Sequence, residues 1–145
     1  MKRALVTGGS GFVGANLVRR LLRDGHEVHL LLRDEHQPWR LQEIMKDCRP
    51  IRGDLTIRES VRGAVAAARP DWVFHLAAYG AYPSQTGFER MVAVNLVGSA
   101  NLIQCCAEAG IEFLANAGSS SEYGYKTKAA HEGDLLEPNS HYAIT

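Results

Sequence analysis

Residues 7 to 14 read Thr7-Gly8-Gly9-Ser10-Gly11-Phe12-Val13-Gly14 and join the apolar run 4–6 to an amphipathic stretch. A strand that turns directly into a helix needs residues without a Cβ atom, both for the turn and for the close approach of a bound pyrophosphate. The first turn of such a helix also offers unpaired N–H groups and the positive end of a dipole. The glycines at 9, 11 and 14 fit G-x-G-x-x-G, and those at 8, 11 and 14 fit G-x-x-G-x-x-G. Because strand, turn and helix follow in that order, the stretch predicts a dinucleotide-binding loop, with a plain Gly-rich turn as the alternative.

Length and composition fit one globular domain over 1–145, large enough for a buried core. Hydrophobic residues make up 46% and charged residues 22%, and the formal net charge is +0. We therefore expect neither a nucleic-acid footprint nor a disordered tail. Charges or glycines interrupt every longer apolar run, so no membrane-spanning segment is expected. The N-terminus also lacks the apolar stretch of a signal peptide.

The three cysteines, Cys48, Cys105 and Cys106, are odd in number and lack the spacing of a metal or redox motif. The six histidines show no zinc-like grouping, so metal catalysis is not expected. We interpret the cysteines as reduced and mostly buried thiols, and we expect the protein in the cytoplasm.

Short apolar strands alternate with helical patterns, which is typical of a doubly wound parallel sheet covered on both faces. Strands are predicted at 3–7, 27–32, 49–52, 72–77 and 111–117. Helices are predicted at 12–24 and 39–46, in the segment after Thr56, at 88–109 and from 139 onward. Right-handed crossovers would give the strand order 3-2-1-4-5, with a ligand at the carboxyl ends of strands one and four.

Two helices show apolar faces that we expect to be buried. In the first helix this face consists of Val13, Leu17 and Leu21, and Gly25 is the expected stop. In the third helix it consists of Ile57, Val61 and Val65. Thr56 and Glu59 predict a capping box before that helix.

Six short pieces of the sequence resemble the extended short-chain dehydrogenase/reductase family, in particular its NAD(P)-dependent sugar-nucleotide epimerases and dehydratases. The pieces are the glycine stretch 7–14, Gly53-Asp54-Leu55, His75-Leu76-Ala77-Ala78, Asn95-Leu96-Val97-Gly98, the segment 118–124 (Gly-Ser-Ser-Ser-Glu-Tyr-Gly) and Pro138-Asn139-Ser140-His141-Tyr142. They follow the family's order over the whole chain. The resemblance implies a Rossmann fold, a nucleotide-sugar substrate and a homodimer in the full-length protein.

The resemblance also implies a set of cofactor-binding residues. They are Gly8, Gly11, Phe12, Val13, Gly14, Arg33, Asp54, Leu55, Leu76, Ala77, Ala78 and Tyr142. Asp54 would meet the adenine amino group. NAD-preferring members place an acid at the end of strand two, whereas here Leu32 occupies that place and Arg33 follows. Since arginine suits the 2′-phosphate, NADP is favoured over NAD, and a solvated charge at Arg33 is the alternative.

Two catalytic residues follow from the same resemblance, Ser119 and Tyr142. Tyr142 would be the base that takes a hydroxyl proton, and Ser119 would donate a hydrogen bond to the substrate oxygen. A free tyrosine has a pKa near 10, and the family's motif Tyr-x-x-x-Lys places a lysine beside it. This chain reads Tyr142-Ala143-Ile144-Thr145, and the lysine would be the next residue. We therefore expect the chain to be the N-terminal part of an enzyme, inactive by itself, with its sheet and substrate domain incomplete.

The substrate-binding candidates are Tyr79, Ser119, Ser120 and Ser121, with Tyr82 and Ser84 as further loop contacts. Turn and capping chemistry is the alternative for the serines, and loop packing is the alternative for the tyrosines. Dehydratases of the family carry an acid where this chain has Ser120 and Ser121, and Glu122 is displaced by one. That difference favours epimerase or reductase chemistry. His75 is interpreted as a hydrogen-bonded core histidine.

Two other functions remain open at this point. One is a dinucleotide-binding module or fragment without turnover. The other is a reductase acting on a small ketone or aldehyde.

Overall fold

The computed structural model of the chain describes residues 1–34 and 39–145. Five parallel strands form one sheet in the order β3-β2-β1-β4-β5, which confirms the predicted topology. The strands are β1 (Arg3–Thr7), β2 (Glu27–Leu32), β3 (Arg49–Arg52), β4 (Trp72–His75) and β5 (Phe113–Asn116). The order reverses between β1 and β4, so the carboxyl ends of these two strands flank the crevice where such sheets bind ligands.

Four helices connect or follow the strands: α1 (Phe12–Arg23), α2 (Arg58–Ala68), α3 (Phe88–Ala109) and α4 (His141–Ile144). The residues Val92–Gly98 inside α3 form a π-helical segment. The short helix predicted at 39–46 consists of two 3₁₀ turns, Trp39–Leu41 and Met45–Asp47. A third 3₁₀ turn, Ser120–Tyr123, follows β5.

Each face of the sheet has its own core, because alternate residues of a strand point to opposite faces. Leu5 of β1 packs with α2 and α3, together with Val73 of β4. Ala4 and Val6 of β1 pack on the opposite face with α1. Burial on both faces explains the continuous apolar runs of β1 and β2.

The predicted face of α1 is confirmed at Leu21, which is buried, and at Leu17, which is partly buried against the same core, but it was wrong at Val13. The buried residues of α1 are Gly14, Ala15, Val18 and Leu21, whereas Val13 is 64% exposed. The glycine at position 14 lets the first turn of α1 approach the preceding loop, and this contact sets the rotation of the helix. The prediction of a stop at Gly25 is confirmed, since Gly25 has φ +79° and follows the C-cap residue Asp24.

The capping box predicted before α2 was wrong. Thr56 donates both its N–H and its hydroxyl to Asp54 Oδ1, each at 2.8 Å, and α2 begins after Ile57 without a side-chain cap. Asp54 therefore forms an Asx turn that takes the groups a cap would use. Ile57 is 56% exposed and does not join the buried stripe, whereas Val61 and Val65 do.

By length and composition alone, α3 could cross a membrane, contrary to the expectation from the sequence. Helices that cover the core of a soluble protein can meet the same criteria. Leu102, Cys105 and Cys106 of α3 are buried in the core shared with α2.

Candidate functional site

The glycine stretch forms a tight turn between β1 and α1. Gly8 has φ +68°, and a Cβ there would lie 2.5 Å from the carbonyl carbon of Leu76. A Cβ on Gly14 would lie 2.2 Å from the carbonyl oxygen of Gly8, so α1 can approach the loop only with glycine at this position. Gly11 caps α1 without a side-chain hydrogen bond. The first turn of α1 therefore presents backbone N–H groups beside a turn that has no side chains in the way.

A cleft of about 510 Å³ runs along the carboxyl ends of the strands, from the glycine stretch to the loops after β2, β3 and β4. We call it the long cleft. It is lined by all twelve residues that the sequence predicts to hold a cofactor, which are Gly8, Gly11, Phe12, Val13, Gly14, Arg33, Asp54, Leu55, Leu76, Ala77, Ala78 and Tyr142. The fold thus brings the predicted set together in one place, and their binding role stays a prediction.

One end of the long cleft is charged. The pKa of Asp54 is lowered, first by the backbone N–H of Thr56, then by the Thr56 hydroxyl, and further by the charges of Arg33 and Arg90. Asp54 is therefore an ionised carboxylate that can accept a hydrogen bond from an amino group. Leu32, at the end of β2, is only 3% exposed, and Arg33 follows it at the cleft.

A second cavity of about 300 Å³, the short cavity, adjoins the long cleft through four shared residues, Leu76, Ala77, Ala78 and Tyr142. Ser119 and Tyr142 both line it, so the structure brings the two predicted catalytic residues to one site. Ser119 Oγ also accepts a hydrogen bond from Ser121 N at 3.2 Å, which caps the 3₁₀ turn and leaves the hydroxyl proton for a substrate oxygen.

Ser120 and Ser121 are not among the residues that line these two cavities, whereas Glu122 lines the short cavity. The geometry therefore lends no support to the prediction that the two serines contact the substrate. The 3₁₀ turn accounts for this difference. Because it has three residues per turn, Glu122 lies on the same side of the turn as Ser119, three residues before it. The run Ser-Ser-Ser-Glu gave no indication of which side chain faces inward.

Two side-chain amides hold the loop after β4 at the adjacent residues Tyr79 and Gly80. Asn95 in the π-helical segment accepts from Tyr79 N and donates to Tyr79 O, both at 2.8 Å. Gln85 Oε1 accepts from Gly80 N at 2.9 Å. Tyr79 and Tyr82 line the long cleft, and the lining residues of that cleft do not include Ser84.

His75 lies at the end of β4, is 2% exposed and has hydrogen-bond partners at both ring nitrogens. Burial lowers its pKa to about 4, so the ring is neutral at physiological pH. The prediction of a hydrogen-bonded core histidine is confirmed.

No group of three His, Cys, Asp or Glu side chains that could hold a metal occurs within residues 1–34 and 39–145. Cys48, Cys105 and Cys106 are free and buried. Burial raises the pKa of the Cys48 and Cys106 thiols to about 11, so these two remain protonated. Protonated thiols are poor nucleophiles, so neither Cys48 nor Cys106 is a catalytic candidate.

A doubly wound parallel sheet with a glycine turn at its switch point is typical of dinucleotide-binding α/β proteins. Comparison with protein families narrows this class. The model of the "NAD dependent epimerase/dehydratase family" matches residues 4–145, and the chain belongs to that family.

Similar proteins include a dehydrogenase as well as a protein described as an epimerase. A 3-beta-hydroxysteroid dehydrogenase of Mycolicibacterium neoaurum is 40% identical over 82% of this chain and 32% of its own length. YtcB of Bacillus subtilis, described as an uncharacterized UDP-glucose epimerase, is 31% identical over 99% of this chain and 48% of its own length. The Bordetella bronchiseptica enzyme WbmG, solved in complex with NAD and UDP, is 26% identical with a TM-score of 0.86, and the match covers 99% of this chain and 46% of WbmG. The chain thus spans less than half the length of these three proteins.

Proposed function

We propose that the chain is the cofactor-binding part of an NAD(P)-dependent enzyme of the epimerase/dehydratase or reductase type that acts on a nucleotide-activated sugar. The observation that carries the proposal is the continuity of the site. The long cleft is lined by a glycine turn at a helix N-terminus, and Tyr142, which also lines this cleft, is shared with the cavity of Ser119. WbmG, which is similar over nearly all of this chain, binds NAD and UDP, and this supports the same pairing of ligands here.

The residues present fit a dinucleotide. The space that a Cβ on Gly8 or Gly14 would fill is taken by loop backbone, so the turn keeps its N–H groups beside the cleft for a pyrophosphate. Asp54 would accept the adenine amino group, and Ala77 and Ala78 would lie along the nicotinamide half. When bound, the nicotinamide supplies reversible hydride exchange with a sugar carbon.

The chain's own contribution to the chemistry would be proton handling and orientation. Oxidation of a sugar hydroxyl requires a base for its proton, and Tyr142 lies where the two cavities meet. Ser119 would donate its hydroxyl proton to the same substrate oxygen and so stabilise developing charge. Tyr79, whose backbone is held by Asn95, lines the long cleft and would contact the substrate there.

The cofactor preference belongs to the proposal, with NADP favoured over NAD. Leu32 is buried where an acid would bind the ribose hydroxyls, and Arg33 lines the cleft directly after it. A guanidinium at this point complements a 2′-phosphate by charge and by its planar set of donors. The similar enzyme WbmG binds NAD, so the preference needs a direct test.

The test begins with binding and then adds substrate. Fluorescence titration with NADPH and NADH is expected to show saturable binding, tighter for NADPH. The full-length protein is then incubated with a panel of nucleotide sugars while cofactor absorbance and product stereochemistry are followed. Failure to bind either dinucleotide would refute the proposed function, and equal or tighter binding of NADH would refute the preference alone.

A reductase of a small or apolar carbonyl substrate is a second candidate, and the 40% identity to a 3-beta-hydroxysteroid dehydrogenase favours it. The same panel separates the two when it includes steroid and small ketone substrates. Oxidation of NADPH by these ketones, with nucleotide sugars inert, would select the reductase. Cofactor binding with no turnover on any substrate would select a non-catalytic dinucleotide-binding module.

We also propose that the full-length protein is a cytoplasmic homodimer. Leu96, Val97 and Ile103 are exposed apolar side chains on α3, and such residues on one helix support association through it. Sedimentation of the full-length protein and of Ile103→Lys tests this, since the variant is expected to shift toward monomer.

A further inference from the structure

The proposed function leaves the buried polar side chain of His75 without a role. His75 pairs with Thr7 in the register of β4 and β1, and its Nδ1 lies 2.6 Å from Thr7 Oγ1. Its Nε2 lies 2.8 Å from Ser99 Oγ on α3. A buried polar network of this kind is costly unless each of its groups is satisfied, so its presence at the end of β4 calls for an explanation.

The hydrogen bonds have only one consistent direction. Thr7 Oγ1 accepts from Ala77 N and shares the N–H of Leu76, each at 3.2 Å, so its own proton goes to His75 Nδ1. The proton of the neutral ring is then on Nε2, which donates to Ser99 Oγ. Ser99 in turn donates to the carbonyl oxygen of Asn95. Every donor of the set has an acceptor only in the Nε2–H tautomer.

Both ends of this network reach the site. Thr7 is the last residue of β1 and directly precedes Gly8 of the glycine turn. At the other end, the Asn95 side chain holds the backbone of Tyr79 and donates to Thr145 Oγ1 at 3.0 Å. Thr145 Oγ1 lies within hydrogen-bond distance of the carbonyl oxygens of His141 and Tyr142. The network therefore joins the pyrophosphate end to the helical turn that carries Tyr142.

We propose that Thr7, His75, Ser99 and Asn95 form a positioning network that fixes the Tyr79 loop and the Tyr142 turn relative to the glycine turn. Thr7 lines the long cleft and the other three line the short cavity, but the hydrogen bonds of all four go to other protein groups, so their assigned role is positioning. The proposal rests on the proposed function, because the proposed dinucleotide is what gives the network a role. That role is to hold the nicotinamide half of the site in a fixed position relative to the pyrophosphate half. Ser99 is the link between the sheet and α3.

Ser99→Ala tests the proposal. Alanine favours the helix, but the variant leaves the buried Nε2–H of His75 without its acceptor, so the free energy of unfolding is measured alongside binding. The expected result is a threefold to tenfold weaker affinity for NADPH, the range for loss of one buried hydrogen bond. Affinity for 2′-phospho-ADP-ribose, which lacks only the nicotinamide, is expected to change less than about twofold. Ser99→Thr restores the hydroxyl and is expected to restore NADPH binding. Gln104→Ala, on the exposed side of α3, is the control for a substitution in the same helix.

Equal losses for NADPH and 2′-phospho-ADP-ribose in Ser99→Ala would show a general structural defect and would overturn the proposal. Unchanged NADPH affinity would overturn it as well. A failure of the proposed function looks different, because the wild-type chain would then bind neither ligand.

If the wild-type chain binds neither ligand, the network is tested without one, by ¹⁵N NMR of the His75 ring and of backbone amides. An Nε2–H tautomer, together with shifts of the Tyr79 and Thr145 amides in Ser99→Ala and none in Gln104→Ala, would support the network. An Nδ1–H tautomer, or unmoved Tyr79 and Thr145 amides, would overturn it.

Discussion

Gly14→Ala is the most direct test of the glycine turn. In a helix, alanine is favoured over glycine by up to about 1 kcal/mol, so propensity alone predicts a gain in stability. At Gly14 the added Cβ would lie 2.2 Å from Gly8 O and 2.8 Å from Gly9 Cα, both backbone atoms. An ordinary contact needs more than 3 Å, so α1 and the turn must separate by about 1 Å, and overpacking of this kind costs about 1–3 kcal/mol. We therefore expect a net loss of about 1–2 kcal/mol in the free energy of unfolding and at least a tenfold weaker affinity for NADPH.

Gly63→Ala is the matched control, because a Cβ at this position in α2 has no atom within 4 Å. It is expected to raise the free energy of unfolding by up to about 1 kcal/mol and to leave NADPH affinity unchanged. Urea unfolding and NADPH titration of both variants give the comparison. The reasoning about close approach is refuted if Gly14→Ala is as stable as Gly63→Ala and binds NADPH as tightly as the wild-type chain.

Three further predictions concern single side chains. Arg33→Gln is expected to weaken NADPH binding at least tenfold while changing NADH binding less than about threefold. Arg62→Gln, on the exposed side of α2, is expected to change neither. An equal loss of affinity for both cofactors would contradict the assignment of Arg33 to the 2′-phosphate. His75 has a folded-state pKa lowered from 6.5 to about 4, so the unfolded state binds more protons between these values. Stability is then complete above about pH 6.5 and is lost by up to about 3 kcal/mol as the pH falls to 4; a His75 NMR titration above pH 6 would contradict this. Tyr142→Phe in the full-length protein is expected to lower turnover at least a hundredfold with NADPH affinity kept within about threefold, and near wild-type turnover would remove Tyr142 as the base.

The sheet and the turn could be predicted because their determinants are local. Apolar runs and the residues between them define β1, β2 and β3 to the residue, and right-handed crossovers leave one strand order. Glycine does not favour the interior of a strand or a helix, so the glycines of 7–14 indicate a turn. The cofactor candidates then converge on the long cleft, because the carboxyl ends of parallel strands share one edge of the sheet.

The wrong predictions concern residues whose roles depend on contacts with a neighbouring residue. Thr56 fits a capping box by spacing, yet Asp54 two residues before it is a better acceptor and forms the Asx turn instead. An Asp two residues before a Thr was the signal that could have shown this. For Glu122, inward orientation depends on a 3₁₀ turn that Ser119 caps, and no pattern of the four residues predicts that turn. The π-helical segment around Asn95 likewise depends on contacts with Tyr79 and Thr145 rather than on helix propensity.

The early end of β4 connects these observations. The sequence predicts a strand through Ala77, but β4 ends at His75, opposite the last residue of β1, Thr7. Just beyond this point the Thr7 hydroxyl accepts from the N–H groups of Leu76 and Ala77. The chain leaves the sheet there, and Leu76, Ala77 and Ala78 become the shared wall of the long cleft and the short cavity. The hydroxyl of the threonine that precedes the glycine turn thus holds two residues of the wall along which, in the proposed function, a nicotinamide would lie. Thr7→Val, which has the same shape but cannot accept these hydrogen bonds, is expected to weaken NADPH binding more than Thr7→Ser does. NADPH titration of both variants tests this. Equal affinities would show that only the shape of this side chain matters and would contradict the role of its hydroxyl.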